Sequence, residues 1–213
     1  MSGVAHGHPH GVVAAEIRRS RAGLRAVAAS LAVLGATAAI QGAVYVAVGS
    51  VALLADLVHN AGDALTALPV GAAFLLRSAR AERWAGYAVV LAILASALFA
   101  LIESIRRLID PQELSFLGAL AIAGLAGFLG NETAARIRLR AGRRLSSAAL
   151  IADGNHARVD GLVSLGVVAS AGCAALGLSI ADPVIGLAIT AVILRITLES
   201  WRTVRAQGLE RSG

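Results

Sequence analysis

The sequence has no lysine, one cysteine, few aromatic residues and few charges of any kind. Each scarcity removes a class of protein. The single cysteine, Cys173, excludes an internal disulfide and any thiolate cluster, and in its apolar run it reads as a small core residue. Charged residues make up 15% of the chain and hydrophobic ones 57%, with a mean hydropathy of +0.75. Soluble domains carry about a quarter charged residues. Too few polar groups remain to coat a water-soluble globule, so lipid is the solvent for much of the surface. With aromatics at 4%, Ala, Leu, Val and Gly fill the apolar stretches, and such small residues let helices approach closely in a bilayer. The net charge of +6 comes from arginine alone, and the arginines gather between apolar segments. That placement suits lipid headgroups and topology better than nucleic acid.

A membrane-crossing helix needs about 20 mostly apolar residues. Six segments qualify: 26–48, 51–76, 85–108, 114–131, 147–178 and 182–204. The basic N-terminus, Arg18, Arg19, Arg21 and Arg25, leads into an apolar run longer than a signal-peptide core, so the run reads as the first span. Residues 136–144 read as a basic linker before the fifth span. Arginine placement orients the chain. The N-terminus, the second-to-third loop (Arg77, Arg80, Arg83), the fourth-to-fifth loop (Arg136, Arg138, Arg140, Arg143, Arg144) and the tail (Arg202, Arg205, Arg211) fall on one side, and only Arg106 and Arg107 on the other. The expectation is an all-α membrane protein of six transmembrane helices with both termini cytoplasmic. Residues 1–25 then form a basic, His-containing cytoplasmic segment, 26–204 the membrane domain, and 205–213 a short cytoplasmic tail.

One internal repeat carries the chemistry. Ser50-Val51-Ala52-Leu53-Leu54-Ala55-Asp56-Leu57-Val58-His59-Asn60-Ala61-Gly62-Asp63 recurs 97 residues later as Ser147-Ala148-Ala149-Leu150-Ile151-Ala152-Asp153-Gly154-Asn155-His156-Ala157-Arg158-Val159-Asp160. Alanine and leucine coincide easily in such a chain; histidine and aspartate do not, because the sequence holds only five histidines. The second copy lies three spans on, so its helix runs in the opposite direction. Inverted halves meeting near the bilayer midplane are a common transporter architecture.

Residues four apart share a helix face, with Cβ atoms about 6 Å apart. His59 and Asp63 can therefore reach one ion together, and so can His156 and Asp160. Facing each other, the two pairs offer two imidazoles and two carboxylates, enough for a tetrahedral shell of the kind zinc accepts. Nickel, cobalt, manganese and cadmium also use nitrogen and oxygen donors. A lone intramembrane polar residue often only bonds to a neighbouring helix. Charge near the bilayer centre costs several kcal/mol, however, and four such residues paired and repeated are a large outlay for packing. Metal entry needs neutral imidazoles and ionised carboxylates, so it expels protons, and the same four side chains suit proton coupling.

Other polar residues have blander readings. Asp56 and Asp153 precede each histidine by three residues and either extend the site or make a helix-end or interhelical bond, the structural reading being favoured. Asn60 and Asn155 are candidates to bond the ligands from behind. Glu103 with Arg106 and Arg107, and Arg195 with Glu199, have the spacing of ordinary helix ion pairs. Arg158 lies on a different face from its His and Asp neighbours and pairs or snorkels. His6, His8 and His10 form a His-rich head that is either loose metal capture or an unstructured terminus, the latter being the commoner case.

These residues resemble the cation diffusion facilitators, over a stretch from about residue 30 to 200. The strongest matches are Ala52 to Asp56 with His59 and Asp63, and Ser147 to Asp160. Lesser ones are Arg80-Ala81-Glu82, Arg107-Leu108-Ile109-Asp110-Pro111, Gly130-Asn131-Glu132 and Asp182-Pro183-Val184-Ile185-Gly186. The resemblance implies a dimeric six-span exporter of zinc or a related divalent ion driven by proton antiport. His59, Asp63, His156 and Asp160 would form its transport site. Histidine at the first position of both pairs is associated in that family with zinc. Two departures stand out. Most relatives carry a soluble cytoplasmic domain after the sixth span, whereas this sequence stops at Gly213 and reads as a short member or a trimmed one. Dimerisation is then expected through membrane contacts. Leu75-Leu76-Arg77-Ser78-Ala79 also replaces a Gly/Tyr-rich stretch, and the ligands of a further metal site that some relatives hold there are not evident.

The leading expectation is therefore a proton-coupled zinc exporter of a prokaryotic inner membrane, with no prosthetic group and no enzymatic activity. Cadmium, cobalt, manganese or nickel are alternative cargoes. The first rival is a transport-inactive metal-binding partner or sensor. A membrane metalloenzyme is the second, disfavoured because four protein ligands would close the zinc shell and no His-Glu-x-x-His is present.

Overall fold

The structure, a computed structural model, describes residues 10–48, 66–110, 116–178 and 180–210. Among the described residues the chain forms α1 (His10–Val48), α2 (Ala67–Leu75), α3 (Ala79–Ile109), α4 (Leu117–Arg144), α5 (Ala148–Ala175) and α6 (Ala181–Glu210). Five stretches are long and apolar enough to cross a membrane: Ala15–Ala47, Ala79–Ile109, Leu117–Arg144, Ala148–Ala175 and Ala181–Gln207. The expected second span is represented by α2; residues 51–65 lie outside the described residues. Among the described residues the regular structure is all helix, as suits a chain that must satisfy its own amides internally in lipid.

Helices α1, α3, α4 and α6 are longer than hydropathy alone predicts, whereas α5 ends at Ala175, short of the expected residue 178. The first begins at His10 rather than near residue 26, and the last continues to Glu210. The larger difference is in α4, which runs through residues 136–144, expected as a linker, and ends at Arg144. The cause is a buried face that continues past the apolar run: Ala134, Ala135, Arg138, Leu139 and Gly142 are all buried. Arg136, Arg140, Arg143 and Arg144 take the exposed face.

Two tight turns of the same form join α2 to α3 and α4 to α5. In the first, Ser78 N donates to Ala73 O and Arg77 N to Phe74 O; in the second, Ser147 N donates to Gly142 O and Ser146 N to Arg143 O. This is the double bond that closes a helix around one left-handed residue. That residue is Arg77 in one turn and Ser146 in the other, each at φ 49°. The serine that follows caps the next helix: Ser78 Oγ accepts from Ala81 N and Ser147 Oγ from Leu150 N, both at 3.2 Å.

Both turns lie at one end of the bundle. Arg19 of α1 grips Glu82 at the head of α3 through both carboxylate oxygens (2.8 and 2.9 Å) and donates to Leu145 O at the end of α4 (3.1 Å). Gln207 of α6 accepts from Ala148 N at 2.8 Å and donates to Ser146 O. Helix α2 therefore ends where α5 begins, so the two are antiparallel, as the repeat predicts. The early turns of α1 and the late turns of α6 share that end.

Packing follows the small residues. On α4, Gly124, Gly127 and Gly130 let α5 and α1 come close: a Cβ at Gly124 would meet Ser164 O and Val168 Cγ2 at 2.9 Å, and one at Gly130 would collide with Thr37. On α5, Gly154 admits Leu139, 2.8 Å from where its Cβ would stand. The apolar core lies between α2, α3, α5 and α6, where Phe74, Val89, Ile93, Leu150, Ile193 and Val204 are buried. Outward-facing leucines, isoleucines and phenylalanines such as Leu91, Leu98, Phe99 and Ile102 remain exposed, as a lipid-facing surface requires.

Candidate metal site

Helix α5 carries the second His-x-x-x-Asp pair on its inward side. His156 is 1% and Asp160 4% exposed. At a rise of about 1.5 Å per residue they stand roughly 12 and 18 Å along the helix from its start. Helical spacing brings His156 Nδ1 to 3.9 Å from Asp160 Oδ1, too far for a hydrogen bond and near enough for both to face one small ion. Gly161 beside them faces α4, where its missing Cβ would stand 3.4 Å from Asn131 Cβ. Asn131 is itself buried, as is Ser164 one turn beyond Asp160. Buried polar side chains thus neighbour the pair on α4 and α5.

The matching pair, His59 and Asp63, lies outside the described residues, as do Asp56, Asn60, His6 and His8. His10 is the first residue of α1. Among the described residues no three ligand-type side chains come together, and the pair on α5 supplies two donors of the four expected. Thr66, the residue before α2, is a polar neighbour of the Asp153 carboxylate.

The flanking residues divide clearly. Asp153 is fully buried, and Oδ1 accepts from Arg138 Nη1 at 3.1 Å. Arg138 also donates from Nε to Ser30 Oγ of α1 at 2.8 Å. The interhelical bond weighed for Asp153 is therefore present, and it ties α1, α4 and α5 together one turn before His156. Asn155 turns away from the pair and donates to Ser200 Oγ of α6 at 2.9 Å. Arg158 pairs with Glu132 of α4, both contacts at 3.3 Å. Arg107 bonds Glu103 at 3.0 Å and Arg195 bonds Glu199 at 3.0 Å, the ion pairs their spacing suggests. Arg107 also reaches Asp182 of α6 at 2.9 Å.

Arg138 is the residue that sequence reading missed, because it was grouped with its exposed neighbours as loop charge. The signal was the three-to-four-residue recurrence of small residues from Gly127 to Gly142, with Arg138 in phase. Arg19 and Gln207 gave no such signal.

The described part of the site is thus a buried His–Asp pair on a membrane-length helix, flanked by the interhelical ion pairs Arg138–Asp153 and Arg158–Glu132. The profile described as "Cation efflux transmembrane domain" matches residues 27–206, and the chain belongs to that family. Two relatives from different strains of Mycobacterium tuberculosis, each named "Probable cation efflux system protein", are 48% identical to it over 199 residues. The match covers 88% of this chain, which spans about 60% of the length of those relatives.

Proposed function

We propose that the chain exports a divalent metal cation, zinc foremost, by proton antiport through alternating access around His59, Asp63, His156 and Asp160. The observation that carries this reading is the burial of His156 and Asp160, 3.9 Å apart, on a helix long enough to cross a membrane. The sequence repeats the pair in the antiparallel second span. Family membership supports cations as the cargo. Two imidazoles and two carboxylates suit zinc, and cadmium, cobalt, manganese and nickel are the competitors.

Proton coupling rests on the donors themselves. A free imidazole titrates near pH ~6.5, so acid competes with metal for the site and releases the ion where protons are plentiful. Arginine placement supports termini in the cytoplasm of a bacterial cell, with the protein in the plasma membrane.

The test is flux into proteoliposomes holding the purified chain, with zinc, cadmium, manganese and cobalt offered across an imposed pH gradient. Zinc uptake should follow the gradient and collapse with it, and Asp63→Ala and Asp160→Ala should abolish it. Flux indifferent to the gradient would remove the antiport; flux surviving both substitutions would remove the site.

A further inference from the structure

The sequence holds two tryptophans, and the structure brings both to one place. Trp84 stands on α3 and Trp201 on α6, with Tyr87 between them: ring centroids are 6.2 Å apart for Trp84–Tyr87 and 5.4 Å for Tyr87–Trp201. Both indoles are exposed, Trp84 at 68% and Trp201 at 43%. In a chain so poor in aromatics, two exposed tryptophans joined through a half-buried tyrosine at one end of the bundle suit an interface anchor, since amphipathic rings favour the headgroup level of a bilayer.

Arginines stand one step further out. Arg80 is one helical turn before Trp84, and Arg205 one turn after Trp201. The helices are antiparallel, so both lie about 6 Å beyond the aromatic row on the same side. Arg83 and Arg202 flank the rings. Arg80, Arg202 and Arg205 are exposed and Arg83 half-buried, and none of the four makes an ion pair with a described residue. The nearby carboxylates are already engaged, Glu82 by Arg19 and Glu199 by Arg195. Arg80 and Arg205 thus stand one turn beyond the aromatic row on either helix, with Arg83 and Arg202 next to the two tryptophans in sequence and no ion pair to any of the four among the described residues.

We propose that this α3–α6 face is a binding site for the headgroup of an anionic glycerophospholipid. The phosphate would be held between Arg80 and Arg205, and the glycerol and upper acyl chain would lie against Trp84, Tyr87 and Trp201. Guanidinium forks match phosphate oxygens in pairs, and a basic pocket between membrane helices is the arrangement that selects acidic over zwitterionic lipid.

Because both tryptophans belong to the site, their fluorescence, excited apart from tyrosine and in discs whose scaffold protein lacks tryptophan, reports on it. The chain is placed in phosphatidylcholine nanodiscs doped with brominated phosphatidylglycerol or, separately, brominated phosphatidylcholine. At matched mole fraction the anionic lipid should be preferred by about tenfold, judged from quenching. Arg80→Gln/Arg205→Gln should bring the preference below about twofold. Arg80→Lys/Arg205→Lys should keep most of it, as should Arg140→Gln/Arg144→Gln at the end of α4. Circular dichroism confirms that each variant keeps its helix content. Equal quenching by both lipids in the parent chain would overturn the site, and so would an undiminished preference in the glutamine pair. Inorganic phosphate should not relieve the quenching more than chloride at equal ionic strength; if it does, the site takes free anions and the lipid assignment fails.

Discussion

Arg138 and Asp153 form an ion pair at 3.1 Å between α4 and α5 in which neither side chain is more than 1% exposed. Ser30 of α1 accepts from the same guanidinium, so three helices meet on one charge. Breaking a buried pair leaves a lone charge, which costs about 3–5 kcal/mol, whereas replacing both partners by apolar groups is often close to neutral. Asp153→Asn and Arg138→Met should each lower stability by about that amount, and Arg138→Met/Asp153→Leu should recover most of it. Thermal unfolding in detergent, followed by circular dichroism, reads the difference.

Asn155 precedes His156 by one residue and yet spends its amide on Ser200 of α6. Its Nδ2 is thereby engaged in a bond between α5 and α6. Asn155→Ala should cost about 1 kcal/mol of stability, Ser200→Ala about the same, and the double substitution little more than either. Zinc affinity should stay within about threefold in all three, against a loss of about a hundredfold or more in Asp160→Ala. A large affinity loss in Asn155→Ala with Ser200→Ala silent would return the residue to the metal site.

Ser146 occupies a left-handed conformation at φ 49° where a side chain is strained by about 1–2 kcal/mol. Its carbonyl, not its hydroxyl, receives the Gln207 bond. Ser146→Gly keeps that bond and should raise the melting temperature, while Ser146→Val should lower it.

Two glycines of similar appearance in the sequence should behave oppositely. A methyl at Gly124 meets the Ser164 carbonyl and Val168 at 2.9 Å, whereas one at Gly172 meets nothing within 4 Å. Gly124→Ala should destabilise by about 1–3 kcal/mol through overpacking. Gly172→Ala should be neutral or stabilise by up to about 1 kcal/mol through helix propensity. Melting temperatures of the two variants check both signs.

How far the sequence carries the fold can be seen residue by residue. Hydropathy located the long helices because lipid demands long apolar runs, and the Glu103–Arg107 and Arg195–Glu199 pairs follow from helical spacing alone. The fifth span is expected from residue 147, and α5 begins beside it at Ala148, with Ser147 as its cap. The end of α4 was not legible, because an arginine-rich stretch reads as loop until a neighbour is known to face it. Arg138 meets Asp153 and Ser30, which are 15 and 108 residues away in the chain, and Arg19 meets Glu82 at a separation of 63. No local pattern encodes such partners. At the site, spacing placed His156 and Asp160 on one face, and the structure shows that face buried. Asp153, one turn away with the same chemistry, is committed to Arg138, a distinction that composition could not draw.

The central claim is that one ion is shared by side chains from the second and fifth spans. Equilibrium zinc binding to the purified chain, in competition with a chromogenic chelator, tests it most directly when the parent is compared with His59→Ala, Asp63→Ala, His156→Ala and Asp160→Ala. One intramembrane ion per chain is expected, with affinity falling by about a hundredfold or more in each of the four variants. Parent-like binding in either span-two variant, or two ions lost independently by the two pairs, would contradict a shared site.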